Sequence, residues 1–350
     1  MIPLVSVIIP TYGREQVLQE TIASVLQQDY PHYEVIVVDQ TRHHEPATQS
    51  YLQGLAATAK IRWFQVSWAS LPGARNYGVR RSTGEIIVFL DDDVVLPAGF
   101  IAAHVQNFDR PEVGAVAGRI FDRMKLAEAE ADLVIEDLPP EAMDPGLAWH
   151  HLNLVHTIKP QWVLTARGCN MSFRRILFDQ HQLWFDERFQ GSAVREESDF
   201  CLRIRSTGYQ IWYDPTAHLV HLGEESGGCH DISTRSLEYQ ITFYHNNFLM
   251  ALKNLTPQQF LHLASELYRC QVMGRPPCHK SGSPIRVLSR SIFYGIGFLS
   301  AVFTLFRSPW QDGQVYSQLD RLELSANPAQ QDPAPLQLDP ADTARIGSRI

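Results

Sequence analysis

Three adjacent carboxylates, Asp91-Asp92-Asp93, follow directly on the apolar run Ile86–Leu90. Side chains of this kind repel one another and gain nothing from a packed interior. Asp is a hard oxygen ligand, and a divalent ion such as Mg2+ or Mn2+ would neutralise the cluster. A solvated acidic turn capping the next helix accounts for the triplet as well. A second acidic stretch, Arg195-Glu196-Glu197-Ser198-Asp199, leads into Phe200, Leu202 and Ile204, which share a helical face. Acids in such a place also suit the positive N-terminus of a helix. The elements around the two clusters have to decide between these readings.

Val5–Ile9 is a short, β-branched apolar run that ends at Pro10, the pattern of a parallel strand buried on both faces. The loop Pro10-Thr11-Tyr12-Gly13-Arg14 follows, then helical spacing through Val17, Leu18, Ile22, Val25 and Leu26. Val35–Val38 is a second buried strand ending in Asp39, which completes a βαβ unit with a right-handed crossover expected. A weak helix over 46–59, a strand over 61–66 and a helix over 74–81 lead to the strand Ile86–Leu90. Two strands that end in a polar loop and an acid at one sheet edge suggest a nucleotide cleft, because open α/β sheets place ligands beyond the carboxyl ends of their strands. Pro97 sits at the first turn of a helix expected to reach Phe108, and Val113–Ala117 is a further strand.

Residues 125–160 carry Pro139-Pro140, Pro145 and Gly146 among acids and read as a loop-rich insertion, where a scaffold varies its specificity. Order resumes over 162–173, with a helix expected near 174–181, the acidic helix at 196, a strand over 211–213, and then His218 and His221. Residues 237–252 and 257–272 have helical periodicity. Ile292–Phe306 is apolar and aromatic, flanked by Arg286, Arg290 and Arg307, and interrupted by Gly295 and Gly297. It reads as too short and broken for a membrane span. Two readings fit it: a helix lying in a bilayer interface, and a buried helix packed on the main domain. From Ser308 the chain is polar and proline-bearing and reads as a disordered tail.

The chain has 350 residues, 45% of them hydrophobic and 19% charged, with a formal net charge of −8. That balance argues against a general nucleic-acid binder, which would show a basic face. The five cysteines are odd in number and widely spaced, without a CxxC pair, so unpaired thiols in a reducing compartment are expected rather than a disulfide framework. Cys270, Cys278 and His279 lack four ligands at zinc spacing. The N-terminus enters an apolar strand without a charged leader, and no signal peptide is expected.

Taken in order, Val7-Ile8-Ile9-Pro10-Thr11-Tyr12, Val37-Val38-Asp39, Ala74-Arg75-Asn76-Tyr77-Gly78, Phe89-Leu90-Asp91-Asp92-Asp93 and Glu196-Glu197-Ser198-Asp199-Phe200-Cys201-Leu202-Arg203, with Asp214-Pro215 and His221 after them, resemble the inverting family 2 glycosyltransferases. The resemblance covers roughly residues 4–222 and implies an α/β, Rossmann-like GT-A fold. Its central sheet would be mostly parallel, with a nucleotide-binding half over 1–120 and an acceptor half over 121–225. A helical C-terminal extension over 226–307 and the tail over 308–350 would follow.

The resemblance further implies a nucleoside-diphosphate sugar donor, a glycan or lipid-linked acceptor, and a divalent cation, Mg2+ or Mn2+. Pro10, Thr11, Tyr12 and Arg14 would line the nucleotide, Asp39 would contact its base, and Arg75 would sit by the donor. Asp91 would approach the ribose and the metal, Asp93 would ligate the metal, and His221 would complete its shell; Asp92 lies among them on the donor side. Glu197 falls at the family's catalytic base, in a pair that is Glu-Glu here where Glu-Asp is usual, so Glu196 is the other candidate. Gln40-Thr41 after Asp39 departs from the common pattern and leaves the nucleobase open. The expected setting is the cytoplasm, with peripheral contact to the cytoplasmic face of a membrane through Ile292–Phe306. A non-catalytic nucleotide-sugar-binding or assembly protein that kept the cleft is the alternative. A nucleotidyltransferase would need a Gly-rich basic phosphate loop, and Pro10–Arg14 is not one.

Overall fold

The computed structural model describes residues 2–123, 134–224, 226–228, 236–276 and 283–307. The expected tail from 308, and Cys229 and Cys278, lie outside the described residues.

The first half folds as its apolar pattern dictates. Strands β1 (Val5–Thr11), β2 (Tyr33–Asp39), β3 (Arg62–Gln65) and β4 (Ile86–Leu90) pair in parallel in the order β3-β2-β1-β4. β1 and β4 are buried along their whole length, which fits runs apolar on both faces. Helices α1 (Gln16–Leu26), α2 (Pro46–Ala57) and α3 (Leu71–Arg81) make the crossovers. α3 starts three residues earlier than expected because Ser70 caps it, its Oγ accepting from the Gly73 N–H at 3.1 Å. α3 lies close on β1: a Cβ at Gly78 would stand 2.5 Å from Ile8.

The second half mixes directions. β4 is followed in the sheet by β8 (Asn170–Arg174), antiparallel to it, then β6 (Val113–Asp122) and β9 (Gln210–His221), which run parallel to one another. β5 (Val94–Val95) and β7 (Gln161–Val163) pair antiparallel with β9. The helix expected from Pro97 is short, α4 (Phe100–Val105), and a tighter 3-10 turn carries it to Asp109. The helix expected over 174–181 reduces to one turn, Ile176–Asp179, because the extended strand β8 takes Arg174. The strand expected over 211–213 extends to His221. It does so across an irregularity at Pro215, where Gly118 pairs Asp214 but Arg119 pairs His218.

Helix α5 (Glu196–Ile204) is joined to the sheet by aromatic packing. Phe200 stacks on Phe185 with centroids 4.3 Å apart, Phe185 meets Phe89 at 5.3 Å, and Phe173 meets Phe200 at 5.0 Å. Phe89 stands two residues before Asp91, and Phe200 three after Glu197. This cluster is how two acidic segments distant in sequence come to one place. Aromatic side chains of this size dominate core energetics.

Helices α6 (Leu237–Asn254), α7 (Pro257–Leu267) and α8 (Pro284–Arg307) follow. α7 opens with a capping box between Thr256 and Gln259, and residues 268–272 continue it as a π turn rather than an α-helix. For Ile292–Phe306, α8 corrects the expectation of a short, broken segment and that of a buried helix. Gly295 and Gly297 do not break it, and at 24 residues, with an 18-residue stretch of mean hydropathy 1.4, it is long and apolar enough to cross a membrane by length and composition. Nor is it buried: of its residues only Gly297 and Ala301 are. Tyr294 and Phe298 pack on Phe248 of α6, and His245 Nε2 meets Thr304 Oγ1 at 2.9 Å. The opposite face leaves Ile285, Leu288, Ile292, Leu299, Phe303 and Phe306 more than half exposed.

Cys169 and Cys201 are free and buried, as the wide spacing suggests. Cys270 is disulfide-bonded, which corrects the expectation of unpaired thiols for that residue.

Candidate active site

The carboxyl ends of β1 and β4, the end of β9 and the start of α5 open onto one cavity of ≈ 700 Å³. Pro10, Thr11, Tyr12, Arg14, Arg75, Asp91, Asp92, Asp93, Glu196, Glu197 and His221 all line it. Of the residues expected at the site only Asp39 does not.

The acidic triplet is divided by its surroundings. Val94 pairs with His221 across β5 and β9, which puts the His221 imidazole beside Asp93, Nε2 to Oδ1 at 3.3 Å. Ligand atoms of Asp91, Asp93 and His221 lie within 4.8 Å of one another. Two carboxylate oxygens and an imidazole nitrogen form a donor set that suits Mn2+ or Mg2+, so the residues present fit such an ion. Burial disfavours the charge on Asp93, but the His221 hydrogen bond, the Glu224 N–H at 3.0 Å and Arg14 outweigh it and hold its carboxyl low. Burial likewise opposes charge on His221, and Asp93 with Asp91 and Asp122 overcomes it, carrying the imidazole up to about 9. Asp92 differs: burial lifts its carboxyl to about 7 despite Arg14, whose Nε lies 3.4 Å away. Arg14 also reaches Asp93 at 3.6 Å and donates to the Glu224 carbonyl at 3.1 Å, which fixes the segment after β9 against the loop after β1.

Arg75 gives the two members of the Glu-Glu pair different surroundings. It is 1% exposed on α3, and its guanidinium makes a close ion pair with Glu196 and lies 3.7 Å from Asp91. Its ring neighbours are Phe89 and Phe185, and its Nη2 donates to the Gly168 carbonyl at 3.3 Å. Glu196 is therefore committed to Arg75. Glu197 has no ion pair among the described residues; burial raises its carboxyl, while Arg75, Arg195 and Arg167 draw it back.

Asp39 is fully buried and its oxygens are used within the protein. Oδ1 accepts from Thr41 N at 2.9 Å, and Oδ2 accepts from Trp63 Nε1 at 3.0 Å and meets His44 Nε2 at 2.8 Å. His44 in turn meets Glu15 at 3.1 Å. The neighbouring Gln40 lines the cavity instead, anchored to the Thr11 carbonyl and the Ser70 N–H. His44, like His150, is given no part by the sequence. Trp149, His150 and Arg167 complete the cavity wall around Glu197. Only Arg195, directly before the Glu pair, carries a sequence signal: it enters α5 with φ 76°, a conformation rare for a side-chain-bearing residue.

Residues 6–175 match the family described as glycosyl transferase family 2. Among curated relatives, an uncharacterized Sinorhizobium fredii protein, y4gI, is 25% identical over 246 residues, 68% of this chain and 26% of that one. The GalNAc(5)-diNAcBac-PP-undecaprenol beta-1,3-glucosyltransferase of Campylobacter jejuni is 33% identical over 108 residues, 30% of this chain and 34% of that one. The matched stretches thus span about a quarter to a third of these relatives' length. Solved structures of similar fold include S. aureus TarS 1–349 in complex with UDP-GlcNAc (TM-score 0.57, 16% identity, 85% of this chain and 81% of that one). The mannosyltransferase PcManGT of Pyrobaculum calidifontis in complex with GDP-Man and Mn2+ is another (TM-score 0.51, 20% identity, 93% and 81%). Residues 6–175 are thus similar to glycosyl transferase family 2, and the chain shares the GT-A-like α/β fold of these solved structures.

Proposed function

We propose that the protein transfers a sugar from a nucleoside-diphosphate sugar to a hydroxyl of a glycan or lipid-linked acceptor, with inversion at the sugar carbon. The observation that carries this reading is the sharing of one cavity by the Asp91, Asp93 and His221 donor set and by Glu197, a buried carboxylate outside any ion pair among the described residues. Glu197 is the general base: it takes the acceptor hydroxyl proton as the acceptor oxygen bonds to the sugar carbon and the bond to the diphosphate breaks. Burial raises its carboxyl, which strengthens it as a base, and the nearby guanidiniums favour its charged form. Glu196 holds Arg75 in position. A divalent ion held by Asp91, Asp93 and His221 would act as a Lewis acid for the departing diphosphate. Pro10, Thr11, Tyr12, Arg14 and Asp92 line the nucleotide side. Asp39 supports that side through His44 and Trp63, leaving Gln40 to face the nucleobase.

The relatives' names point to envelope glycans: one acts on an undecaprenol-linked acceptor, and Bacillus subtilis TuaG is named for teichuronic acid biosynthesis. The exposed apolar stripe of α8, with Arg286 and Arg307 and no acid, suits a helix lying on an anionic membrane surface. This supports a peripheral position on the cytoplasmic face.

The test is turnover of nucleoside-diphosphate sugars with Mn2+ by the full chain and its Glu197→Gln variant. Glu197→Gln should lose about 10²–10⁴-fold in turnover while nucleotide affinity, read by calorimetry, stays. Full turnover by Glu197→Gln would remove the base assigned here.

A further inference from the structure

The positive charges around the cavity are unequally matched. Arg14 has Asp92 and Asp93, and Arg75 has Glu196 and Asp91. Arg167 and Arg195 make no ion pair among the described residues. Both guanidiniums lie on the Trp149 ring, their carbons 3.8 and 4.3 Å from its centroid. Arg167 Nη2 donates to the Trp149 carbonyl at 3.4 Å. Arg195 is 2% exposed; its Nε donates to Asn247 Oδ1 at 2.8 Å and its Nη2 to His150 Nε2 at 3.3 Å, while its Nη1 is buried without a partner.

Because His150 accepts at Nε2, its proton sits on Nδ1. Burial and the charges of Arg195, His151 and Arg167 push the imidazole down to about 3, so it stays neutral and donates from Nδ1. No protein acceptor meets Nδ1 among the described residues. His150, Arg167 and Trp149 line the cavity, and Arg195 stands behind them.

With Glu196 committed to Arg75, one carboxylate, Glu197, faces two guanidiniums. Burying a charge without its counter-charge is costly. Stacking on Trp149 offsets only part of that cost. An oxyanion on a ligand would supply the missing charge, and an Arg fork matches carboxylate and phosphate alike. We infer that the wall formed by Arg167, His150 and Trp149, backed by Arg195, binds an anionic group of the acceptor, a phosphate or a carboxylate. Calling the ligand the acceptor rests on the transfer reading above; the anion site itself does not.

Methyl phosphate, glucuronate and neutral methyl glucoside are titrated by calorimetry into the full chain, with and without UDP or GDP plus Mn2+. Wild type should bind at least one anion and not methyl glucoside, and Arg167→Gln should weaken that binding at least tenfold, with Arg167→Lys in between. Preference for methyl phosphate marks a phosphate-linked acceptor, and preference for glucuronate a uronic-acid glycan; either supports the site. Equal anion binding by wild type and Arg167→Gln overturns it, as does equal binding of methyl glucoside. Melting temperatures identify a variant that fails to fold, and His150→Ala, expected to weaken anion binding severalfold, then takes its place. Failure of any nucleotide to bind counts against the transfer reading alone, since anion binding is also read without nucleotide.

Discussion

The two walls of the cavity treat charge in opposite ways. On the wall proposed for the nucleotide the two arginines are matched: Arg14 meets Asp92 and Asp93, and Arg75 meets Glu196 and Asp91. On the wall around Trp149, Arg167 and Arg195 make no ion pair among the described residues and share the field of one carboxylate, Glu197. A matched pair serves the folded protein, because removing one partner strands the other. An unmatched charge burdens the folded protein and is useful only to a ligand.

The contrast is most directly broken by stability measurements. Glu196→Gln removes the close partner of buried Arg75 and leaves it only the longer Asp91 contact at 3.7 Å, which should cost up to about 3–5 kcal/mol, whereas Arg167→Gln should cost less than about 1 kcal/mol. Urea unfolding of the two variants side by side decides this, and equal losses would erase the distinction.

A smaller effect sharpens the rule elsewhere. Lys253 on α6 bridges Asp186 at 2.6 Å and Asp199 at 2.7 Å, and Arg188 joins at 2.7 Å, so matched charges fasten α6 to α5. Burial opposes ionisation of Asp186, but Arg188 and Lys253 outweigh it and hold its carboxyl at about 2 against an ordinary 3.8. A lowered carboxyl pKa stabilises above the unfolded value, and that gain disappears as pH falls through the folded one. About 2 kcal/mol should therefore be present above pH 4 and lost towards pH 2. Unfolding free energies of wild type and Lys253→Met should converge across that window; a constant gap would contradict the assignment.

The smallest effect tests the nucleotide wall itself. His44→Ala removes one partner of buried Asp39 and should cost about 1 kcal/mol, leaving the preference between UDP and GDP unchanged in calorimetry. A changed preference would mean that Asp39, not Gln40, faces the base.

The sequence made the nucleotide wall legible because its residues are local. Each of Pro10, Asp39 and Asp91 ends or closely follows an uninterrupted apolar strand, so the strand pattern locates the cleft. Asp39 shows the limit: its place at the strand end was readable, but Trp63 and His44, which occupy its oxygens, come from a partner strand and a loop. The Trp149 wall was illegible for a related reason. Its members come from a short helical turn, the loop before β8 and the residue before α5, and no periodicity links them. α8 misled because glycines that would break an isolated helix are tolerated against a neighbour; a Cβ at Gly297 would stand 2.5 Å from Tyr244.

Arg75 has one more consequence. It leaves no room for a side chain at position 168, where a Cβ would fall 2.5 Å from its Nη2, and it touches an acid from each of the two acidic segments, Asp91 and Glu196. It acts as a rigid strut. The spacing between the start of the acidic triplet and the head of α5 is set when the chain folds, before any substrate arrives. Polar groups already oriented in this way need not reorganise during the reaction, so at this point the work of arranging the site belongs to folding rather than to turnover.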